Sequence, residues 1–342
     1  AMRRFGLRQD APLAGLLSML VEDTVHSTVD EAPLVNAALG VTIRGAGLTR
    51  ARGGMRGFWR RFVAQYRSLG GQLLLGCAVE RVEGRAGRFT VHTRRGGVGA
   101  DQVVSAVPIT CTARLAPDAV GERLAPFLER TAGASGGAVV VFLGVKDAEV
   151  GGHDYTHHQL LHDYSSPLGD GNNMFISISA HGDTESAPPA HRAVMISTHS
   201  ELNRWEGLGP AEYELQKDAA GERLVHLARR VLPRLGERPL VREVATPRTY
   251  ERFTRRPRGA VAGLRLTLRN ANQRAVPHDI GVPGFWLAGD TTWPGLGTVA
   301  CVLGSRIVAD RAAREVGRGR LTPQAAARRA VGEVRDGRRA YR

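Results

Sequence analysis

The amino-acid sequence predicts an α/β fold with a second lobe of α+β type. One sign is an apolar strand over residues 285–288 that leads through a glycine-rich loop into an apolar helix ending at about Ala313. A second sign is a series of short apolar runs between residues 138 and 200, each bounded by Gly, Asp, Asn or Pro, which predicts an antiparallel sheet. A third is the helical spacing of apolar residues over 11–22. We therefore expect two lobes, one of which has a mixed or antiparallel sheet with helices.

The size and composition of the chain allow a large core. It has 342 residues, of which 42% are hydrophobic, so we expect two lobes or one lobe with a fragment of another. No apolar stretch reaches the length of about 18 residues that a membrane span needs, and no signal peptide is visible. The three cysteines, Cys77, Cys111 and Cys301, have no close spacing. They predict reduced thiols in a cytoplasmic protein and no metal site.

The formal charge of +14 comes almost wholly from arginine, because Lys146 and Lys217 are the only lysines. This usage is typical of a GC-rich coding background. From Arg311 to Arg342 the sequence has ten arginines and three acidic residues. Such a tail could contact anionic lipid or nucleic acid by counterion release. A solvated tail over residues 317–342 explains the same pattern, and we expect no nucleic-acid partner.

The most informative motif is GFWLAGDTTWPGLGTVA, residues 284–300. Its strand delivers one carboxylate, Asp290, at a glycine corner, and a Pro-Gly-x-Gly loop then opens a helix whose first backbone N–H groups are free. Such a corner suits a ligand that needs both a hydroxyl acceptor and the positive end of a helix. Taken alone, Asp290 could equally be a helix cap or a turn residue.

This motif resembles the C-terminal flavin-binding motif of the FAD-dependent phytoene desaturase, carotenoid isomerase and retinol saturase family, within the amine oxidase superfamily. The segment 246–253, TPRTYERF, strengthens the resemblance, which extends from about Arg8 to Ala313. It implies FAD as the cofactor, with Asp290 bonded to its ribityl or pyrophosphate part. The positions that the resemblance assigns to the cofactor in this motif are Gly289, Asp290, Gly297, Thr298 and Val299.

The middle of the chain resembles the corresponding part of the same family more loosely. We predict a helix from Gly53 to Leu69, followed by strands at 72–75, 79–82, 88–93 and 102–107. By resemblance, the backbone around Val79 meets the adenine of FAD, and the turn at Ser105 passes close to the flavin. Ordinary sheet strands without a cofactor role explain the same pattern.

One part of the family pattern is missing from the sequence. Family members begin with a strand, a G-x-G-x-x-G fingerprint and a helix that together hold the pyrophosphate. Residues 1–6 contain one glycine and no apolar strand, and no such fingerprint in that context occurs elsewhere. We therefore expect an incomplete FAD-binding Rossmann-like domain, FAD that is absent or weakly bound, and another chain that supplies the nucleotide-binding segment.

The resemblance also implies a division of the chain into domains. The helices at 11–22 and 32–39 are expected to belong to the substrate domain, where they either pack on the sheet or contact a membrane surface peripherally. The implied domains are residues 1–50 for the helical part of the substrate domain, 51–108 for the middle of the FAD domain, 109–245 for the substrate domain, 246–316 for the C-terminal part of the FAD domain, and 317–342 for the basic tail.

Three residues are predicted to line the substrate cavity. His157 lies in a histidine-rich patch with His153, His158 and His162, but neighbouring strand residues point to opposite faces, so we expect no metal there. Arg248 and Tyr250 are placed on a wall between substrate and cofactor. Arg248 could orient an acidic group of the substrate or have a purely structural role.

No Ser-His-Asp, Cys-His, zinc or phosphate-loop pattern occurs in a usable context, and we assign no catalytic acid or base. That absence is consistent with flavin chemistry, in which the ring itself takes the hydride. The leading hypothesis is an FAD-dependent oxidoreductase that acts on an apolar polyene or a related isoprenoid or polyketide chain. The alternatives are an amine-oxidase-like flavoenzyme and a cofactor-free remnant that binds an apolar ligand or a protein.

Overall fold

The computed structural model describes residues 2–47, 49–85, 87–151 and 156–316. None of the helices in these ranges is long and apolar enough to cross a membrane. The helices are α1 (Ala11–Val25), α2 (Leu34–Thr42), α3 (Gly54–Ser68), α4 (Ile109–Leu115), α5 (Glu122–Thr131), α6 (Asp147–Val150), α7 (Pro210–Ala228), α8 (Pro247–Thr254) and α9 (Thr298–Glu315).

Several strands of the described chain follow one another without an intervening α-helix. The strands are β1 (Val79–Arg85), β2 (Arg88–Thr93), β3 (Gly96–Ala100), β4 (Val103–Ser105), β5 (Ser135–Lys146), β6 (His157–Leu161), β7 (Asn173–Ile178), β8 (His191–Ser200), β9 (Val241–Ala245), β10 (Val261–Leu264) and β11 (Phe285–Leu287). The predicted α/β fold class is confirmed by this mixture of helices and sheets.

The chain forms two compact units. Unit 1 consists of residues 1–76 and 131–269, and unit 2 consists of residues 77–130 and 270–342. These divisions lie at different positions from the predicted domain boundaries, and α3 groups with unit 1. The assignment of segments to a cofactor domain or a substrate domain stays a prediction.

Unit 1 is built on an antiparallel sheet in the order β10-β5-β8-β7-β6, with β9 also paired to β5. The antiparallel sheet predicted between residues 138 and 200 is therefore confirmed. Alternate residues of β5 point into the core, and Val141 and Leu143 pack with Leu224 and Ala228 of α7. Each such fully buried aliphatic side chain contributes roughly 1.5–3 kcal/mol through its removal from water.

The N-terminal part of unit 1 is helical. The carboxylate of Asp10 accepts a hydrogen bond from the Leu13 N–H at 3.0 Å and caps α1, which ends at His26 in a left-handed conformation with φ 55°. The strand predicted over residues 72–75 is wrong, because no strand of the described chain pairs with it and these residues form an irregular segment. Its three leucines, Leu73, Leu74 and Leu75, are exposed.

Unit 2 contains a three-stranded antiparallel sheet, β1-β2-β3, and a separate parallel pair, β4 and β11. The two sheets share a core in which the rings of Phe89 and Phe285 meet edge to face at 5.8 Å. The helix α9 follows β11 after a loop. The predicted C-terminal strand and helix are thus confirmed, with the helix beginning at Thr298.

Candidate functional site

The carboxyl ends of β4 and β11 lie side by side in unit 2. Ser105 pairs with Leu287 in parallel register, and the Ala288 N–H extends the pair by donating to the Ser105 carbonyl oxygen at 2.9 Å. Ligands of parallel sheets bind beyond the carboxyl ends of the strands, where the chain leaves the sheet. The residues that follow both strands therefore form the candidate site.

Gly289 makes the turn after β11. Its φ is +100°, and a Cβ at this position would lie 3.1 Å from the carbonyl oxygen of Ala106, which follows β4. Only glycine adopts this conformation without strain, so the backbones of the two strand ends can approach closely. Asp290 follows directly and is half-buried.

Two threonines fix the shape of this corner. The Thr291 hydroxyl accepts a hydrogen bond from the Ile109 N–H at 3.2 Å, which ties the corner to the start of α4. The Thr292 hydroxyl donates to the Gly289 carbonyl at 2.8 Å. Both threonines are buried, and because their hydroxyls are bonded, the backbone at Gly289 is held in one geometry.

The helix α9 begins without a side-chain cap. Its N-cap is Gly297, with φ +92°, and the Cys301 N–H donates to the Gly297 carbonyl at 3.0 Å. The N–H groups of Thr298 and Val299 therefore have no acceptor within the helix. Together with the helix dipole, they make this end a site for a negative charge or for hydrogen-bond acceptors.

Several apolar side chains at this helix end and elsewhere in unit 2 are open to solvent. Val299 is 73% exposed and Val302 is 57% exposed. Val104 of β4 and Trp293 of the connecting loop are also exposed. An exposed apolar surface beside unpaired N–H groups fits a planar aromatic ligand with acceptor atoms along one edge.

The seven residues predicted to contact a cofactor all lie in unit 2. Ser105, Gly289 and Asp290 come together at the ends of the parallel pair, whereas Val79 begins β1 in the other sheet. The Ser105 hydroxyl shares a hydrogen bond with the Thr112 hydroxyl at 2.7 Å, and its carbonyl oxygen accepts from the Ala288 N–H, so both groups are already bonded within the protein.

The three predicted substrate-cavity residues lie in unit 1 and are not brought together. His157 begins β6 at one edge of the sheet and stacks on Phe175 at 6.0 Å. Arg248 and Tyr250 belong to α8, which follows β9 at the other side of the sheet.

The side chains of α8 are held by structural contacts. The Arg248 guanidinium lies over the Tyr213 ring at 4.3 Å and donates to the Leu208 carbonyl at 2.7 Å. These contacts favour the structural role that the sequence left open for Arg248. Burial raises the pKa of Tyr250, so its hydroxyl stays protonated at neutral pH.

The histidine-rich patch is only partly described, because His153 lies outside the described residues. His157 and His158 pair with Ser177 and Ile176 of β7, so their side chains alternate between the faces of the sheet. Among the described residues, no three His, Cys, Asp or Glu side chains come together as metal ligands would.

A polar cluster in unit 1 has no counterpart in the sequence analysis. His199 Nδ1 lies 3.2 Å from Glu22 Oε2, and the rings of His26 and His199 meet edge to face at 4.3 Å. These residues line a cavity of about 560 Å³ beside α1. Burial, and then the nearby His199 and Arg265, lower the pKa of His26 to about 3, so this imidazole is neutral at physiological pH.

A second cavity of unit 1, of about 600 Å³, lies between α1 and the strands β6 and β7. The apolar side chains in its wall belong to helices and strands that meet at this end of the sheet. They are Leu13, Leu16, Met19, Leu160, Leu161, Met174 and Leu227.

A family model for flavin containing amine oxidoreductases matches residues 25–316. The chain belongs to this family. The amine oxidase superfamily that the C-terminal motif predicted is thereby confirmed. Family membership supports a flavin ligand. The residues present at the corner and at the start of α9 fit such a group: free N–H groups, an acidic side chain and exposed apolar surface.

The chain is similar to curated prolycopene isomerases of plant chloroplasts. It is 29% identical to the Arabidopsis thaliana protein over 182 residues, which is 52% of this chain and 30% of that protein. It is 26% identical to the Daucus carota protein over 188 residues, 54% of this chain and 30% of that one. The matched region thus spans less than a third of these relatives.

Solved structures share the fold. An oxidoreductase from Methanosarcina mazei matches with a TM-score of 0.60 and 17% identity over 88% of this chain and 65% of its own. Cyclohexylamine oxidase from Brevibacterium oxydans matches with a TM-score of 0.57 and 15% identity, over 88% of this chain and 64% of its own. Identities this low show the fold alone.

Proposed function

We propose that this chain acts as an FAD-dependent oxidoreductase of the carotenoid desaturase and isomerase type, with a long apolar polyene or a related isoprenoid chain as its substrate. The observation that supports it most is the uncapped start of α9, in the unit that also contains the glycine corner at the carboxyl ends of β4 and β11. The similarity to prolycopene isomerases supports the class of substrate.

Each residue of the corner has a role in this proposal. Asp290 accepts hydrogen bonds from ribityl hydroxyls, and Gly289 lets the ligand approach the backbone. The free N–H groups of Thr298 and Val299, after Gly297, donate to acceptors on the flavin and stabilise negative charge there by about 0.3–1 kcal/mol. When it is bound, FAD supplies the group that takes or gives a hydride.

The cavity between α1 and the strands β6 and β7 has a wall of mixed apolar and polar side chains, and its apolar part fits the proposed substrate class. Its wall contains Leu13, Leu16, Met19 and Met174, and its volume of about 600 Å³ lies in the usual range for ligand pockets. The unbranched methionine side chains adapt to a long, weakly featured molecule. His157, Arg248 and Tyr250 do not line this cavity, so their role toward substrate stays a prediction.

The parallel pair also supports the proposal that a nucleotide-binding segment completes the site. Parallel sheets are normally larger than two strands and covered on both faces. In unit 2, β4 pairs only with β11 among the described strands, and Val104 is 48% exposed. A further strand paired to β4 would cover this residue and supply the pyrophosphate-binding loop, whether from another chain or from a longer form of this one.

A titration tests the cofactor part of the proposal. FAD added to the chain is expected to change its absorbance near 450 nm in proportion to the bound fraction. Removal of a charge-assisted hydrogen bond costs about 1.5–3 kcal/mol, so Asp290→Asn is expected to weaken binding by about tenfold to a hundredfold. The matched control is Asp118→Asn, an exposed acid of the same unit. Equal binding by both variants would contradict the assigned role of Asp290.

A turnover assay tests the substrate part. With FAD bound, the chain, or its complex with a nucleotide-binding segment, is expected to convert prolycopene and to leave primary amines unchanged. Conversion of amines alone would instead establish an amine-oxidase-like enzyme. Spectra that never change with FAD, with or without the added segment, would support a cofactor-free binding role.

A further inference from the structure

His278 lies where three segments of unit 2 meet, and it has no role in the function proposed above. The three segments are the end of β11, the loop before α9, and α9 itself. The residue is buried, with 4% of its surface exposed. A buried side chain that contacts all three segments fixes their positions relative to one another.

The first contact of His278 is with the last residue of β11. The His278 carbonyl oxygen accepts from the Leu287 N–H at 2.9 Å, and Nδ1 of its ring donates to the Leu287 carbonyl oxygen at 2.9 Å. Leu287 ends β11 and is followed by Ala288 and then by Gly289, which makes the turn to Asp290. Both polar backbone groups of the residue that leads into the corner are therefore bonded to His278.

The same ring contacts the loop and the helix that follow the corner. The ring of Trp293, in the loop, meets it edge to face with the centroids 6.3 Å apart. In α9, a Cβ at Gly304 would lie 2.9 Å from Cε1 and 3.4 Å from Nε2 of the His278 ring, so the helix backbone packs directly against the imidazole. Any side chain at position 304 would push the ring and the helix apart. The position of α9 is thus linked to the end of β11 through one residue.

The bond to Leu287 specifies one tautomer of the ring. A carbonyl oxygen only accepts hydrogen bonds, so Nδ1 carries the hydrogen. Burial lowers the pKa of His278 from 6.5, and the charge of Arg311 acts in the same direction while the bond to Leu287 opposes both, so the ring is neutral at neutral pH. Nε2 then has a lone pair and no hydrogen. This atom is buried and has no hydrogen-bond partner among the residues that the structure describes.

Packing alone does not explain a histidine at this position. A leucine would fill a similar volume without leaving a buried nitrogen unpaired, and an unpaired buried polar atom is unfavourable. A hydrogen on Nε2 would be worse, because it would bury a donor with no acceptor against the backbone of α9 at Gly304. What the histidine adds is the bond from Nδ1 to the Leu287 carbonyl, and only the neutral ring with its hydrogen on Nδ1 makes this bond without burying a charge.

We propose that His278 is a positioning residue of the cofactor site. Its bond to Leu287 fixes the turn that carries Asp290, and its contact with α9 fixes the helix whose first N–H groups are free. The carboxylate and these N–H groups therefore keep one separation, which a rigid ligand that bonds to both requires. His278 acts through the two elements and has no contact of its own with cofactor or substrate. This inference rests on the proposed function, because it assigns a role toward FAD.

Nitrogen NMR of the chain without FAD tests the state of the ring. Isotope-labelled histidine gives signals that report which ring nitrogen carries a hydrogen, and the signals that are lost in His278→Asn belong to His278. We expect a neutral ring with its hydrogen on Nδ1, and it should remain neutral at pH 6.5, the pKa of a free histidine side chain. A hydrogen on Nε2, or a ring that is half protonated at that pH, would overturn the proposal.

Substitutions of His278 separate the hydrogen bond from the bulk of the ring. His278→Leu has no donor, so the Leu287 carbonyl loses its partner. His278→Asn places an amide N–H near the position of Nδ1 and restores that bond. We expect the affinity for FAD to fall by about tenfold in His278→Leu and by no more than about threefold in His278→Asn. His278→Gln has its amide near the position of Nε2 and should behave like His278→Leu, which keeps the test decisive if the leucine variant does not fold.

The matched control is Ile280→Val, which removes one methyl group from the core of unit 2 and leaves the bond to Leu287 intact. It should bind FAD within about twofold of the unchanged chain although it is less stable. A loss of affinity in this control as large as in His278→Leu would reveal a general effect of stability and overturn the proposal. Equal losses in His278→Leu and His278→Asn would do the same, because the bond would then be irrelevant.

Hydrogen exchange without FAD distinguishes local positioning from overall stability. In the folded chain the amides of Ala288 and Trp293, on the two sides of the corner, donate to the carbonyls of Ser105 and Val276. In His278→Leu we expect both amides to exchange about tenfold faster, while those of β1 and β2 in the same unit keep their rates. Equal acceleration throughout unit 2 would show that the histidine only stabilises the fold, and would overturn the proposal.

The FAD titrations separate this inference from the proposed function. If the unchanged chain binds no FAD, alone or with a nucleotide-binding segment, the proposed function fails and the role of His278 toward the cofactor fails with it. If the unchanged chain binds FAD and His278→Leu binds it equally well, only the role of His278 fails. Circular dichroism of each variant checks that it keeps its secondary structure.

Discussion

The residue with the most perturbed environment in the polar cluster is His26. Its folded-state pKa of about 3 lies below the value of 6.5 for a free side chain. Between these two values the unfolded chain binds a proton that the folded chain does not. The contribution of His26 to the free energy of unfolding is therefore fully present above about pH 6.5 and is lost as the pH falls toward 3.

Replacement of His26 is expected to remove this part of the pH dependence. His26→Asn suits the left-handed backbone at φ 55° and has no titrating group. We expect the free energy of unfolding of this variant, measured in urea from pH 6.5 to pH 4.5, to fall less steeply than that of the unchanged chain. The two slopes should differ by on the order of 1.4 kcal/mol per pH unit. The exposed His226→Asn is the control, and the same slope in both variants would contradict the prediction.

At Gly289 the backbone conformation determines how much a substitution lowers the free energy of unfolding. Gly289 has φ +100°, and Gly289→Ala places a Cβ 3.1 Å from the Ala106 carbonyl oxygen. We expect the free energy of unfolding in urea to fall by about 1–3 kcal/mol. Gly281→Ala tests the conformational part alone, since φ is +77° there and the nearest atom lies 4.0 Å away. A loss at Gly289 no larger than that at Gly281 would show that the corner tolerates a wider turn.

Among the elements, α9 contacts the rest of unit 2 through another glycine. A Cβ at Gly304 would meet His278 Cε1 at 2.9 Å, and His278 is fixed because its Nδ1 donates to the Leu287 carbonyl at 2.9 Å. Gly304→Ala should lower stability although alanine favours a helix by about 1 kcal/mol. Ser305→Ala, at an exposed neighbour, should be neutral or stabilising. Thermal unfolding of both variants measures the difference.

The elements that the sequence predicts well are those with a strong local pattern. The strands of the antiparallel sheet have alternating apolar residues and clear boundaries, and β2 spans the predicted residues 88–93. The leucine run at 72–75 has the composition of a strand but no partner to pair with, and a strand needs one. The glycine-rich β3 was not predicted, because glycine has low strand propensity and only pairing with β2 orders it.

At the scale of the whole molecule, the two candidate sites differ in how far the sequence predicts them. The corner at Gly289 and the start of α9 lie within one short motif, so local signals were enough to predict the turn and the helix, while their role toward a cofactor stays a prediction. The polar cluster joins Glu22 and His26 of one segment with His199 of another, and no local pattern links positions so far apart. Such contacts follow only from the strand order of the sheet.

Hydrogen exchange over the whole chain tests where FAD binds. Saturating FAD is expected to slow exchange of the backbone amides at Asp290, Thr298 and Val299, and to raise the thermal midpoint, since a ligand at a hundred times its Kd adds about 2.7 kcal/mol to stability. Amides of β7 and β8 in unit 1 serve as the internal control. Protection confined to unit 1 would contradict the assignment of the corner.

The low burial of α2 and α3 also determines which positions of the chain tolerate mutation. Gly40 is the one buried residue of α2 and Gly57 the one buried residue of α3, so the exposed positions of both helices contribute little to the core. Mutations on these outer positions should accumulate without unfolding the protein. A soluble variant for crystallisation could therefore be engineered on this surface first, with the hydrophobic interior of the sheet left untouched.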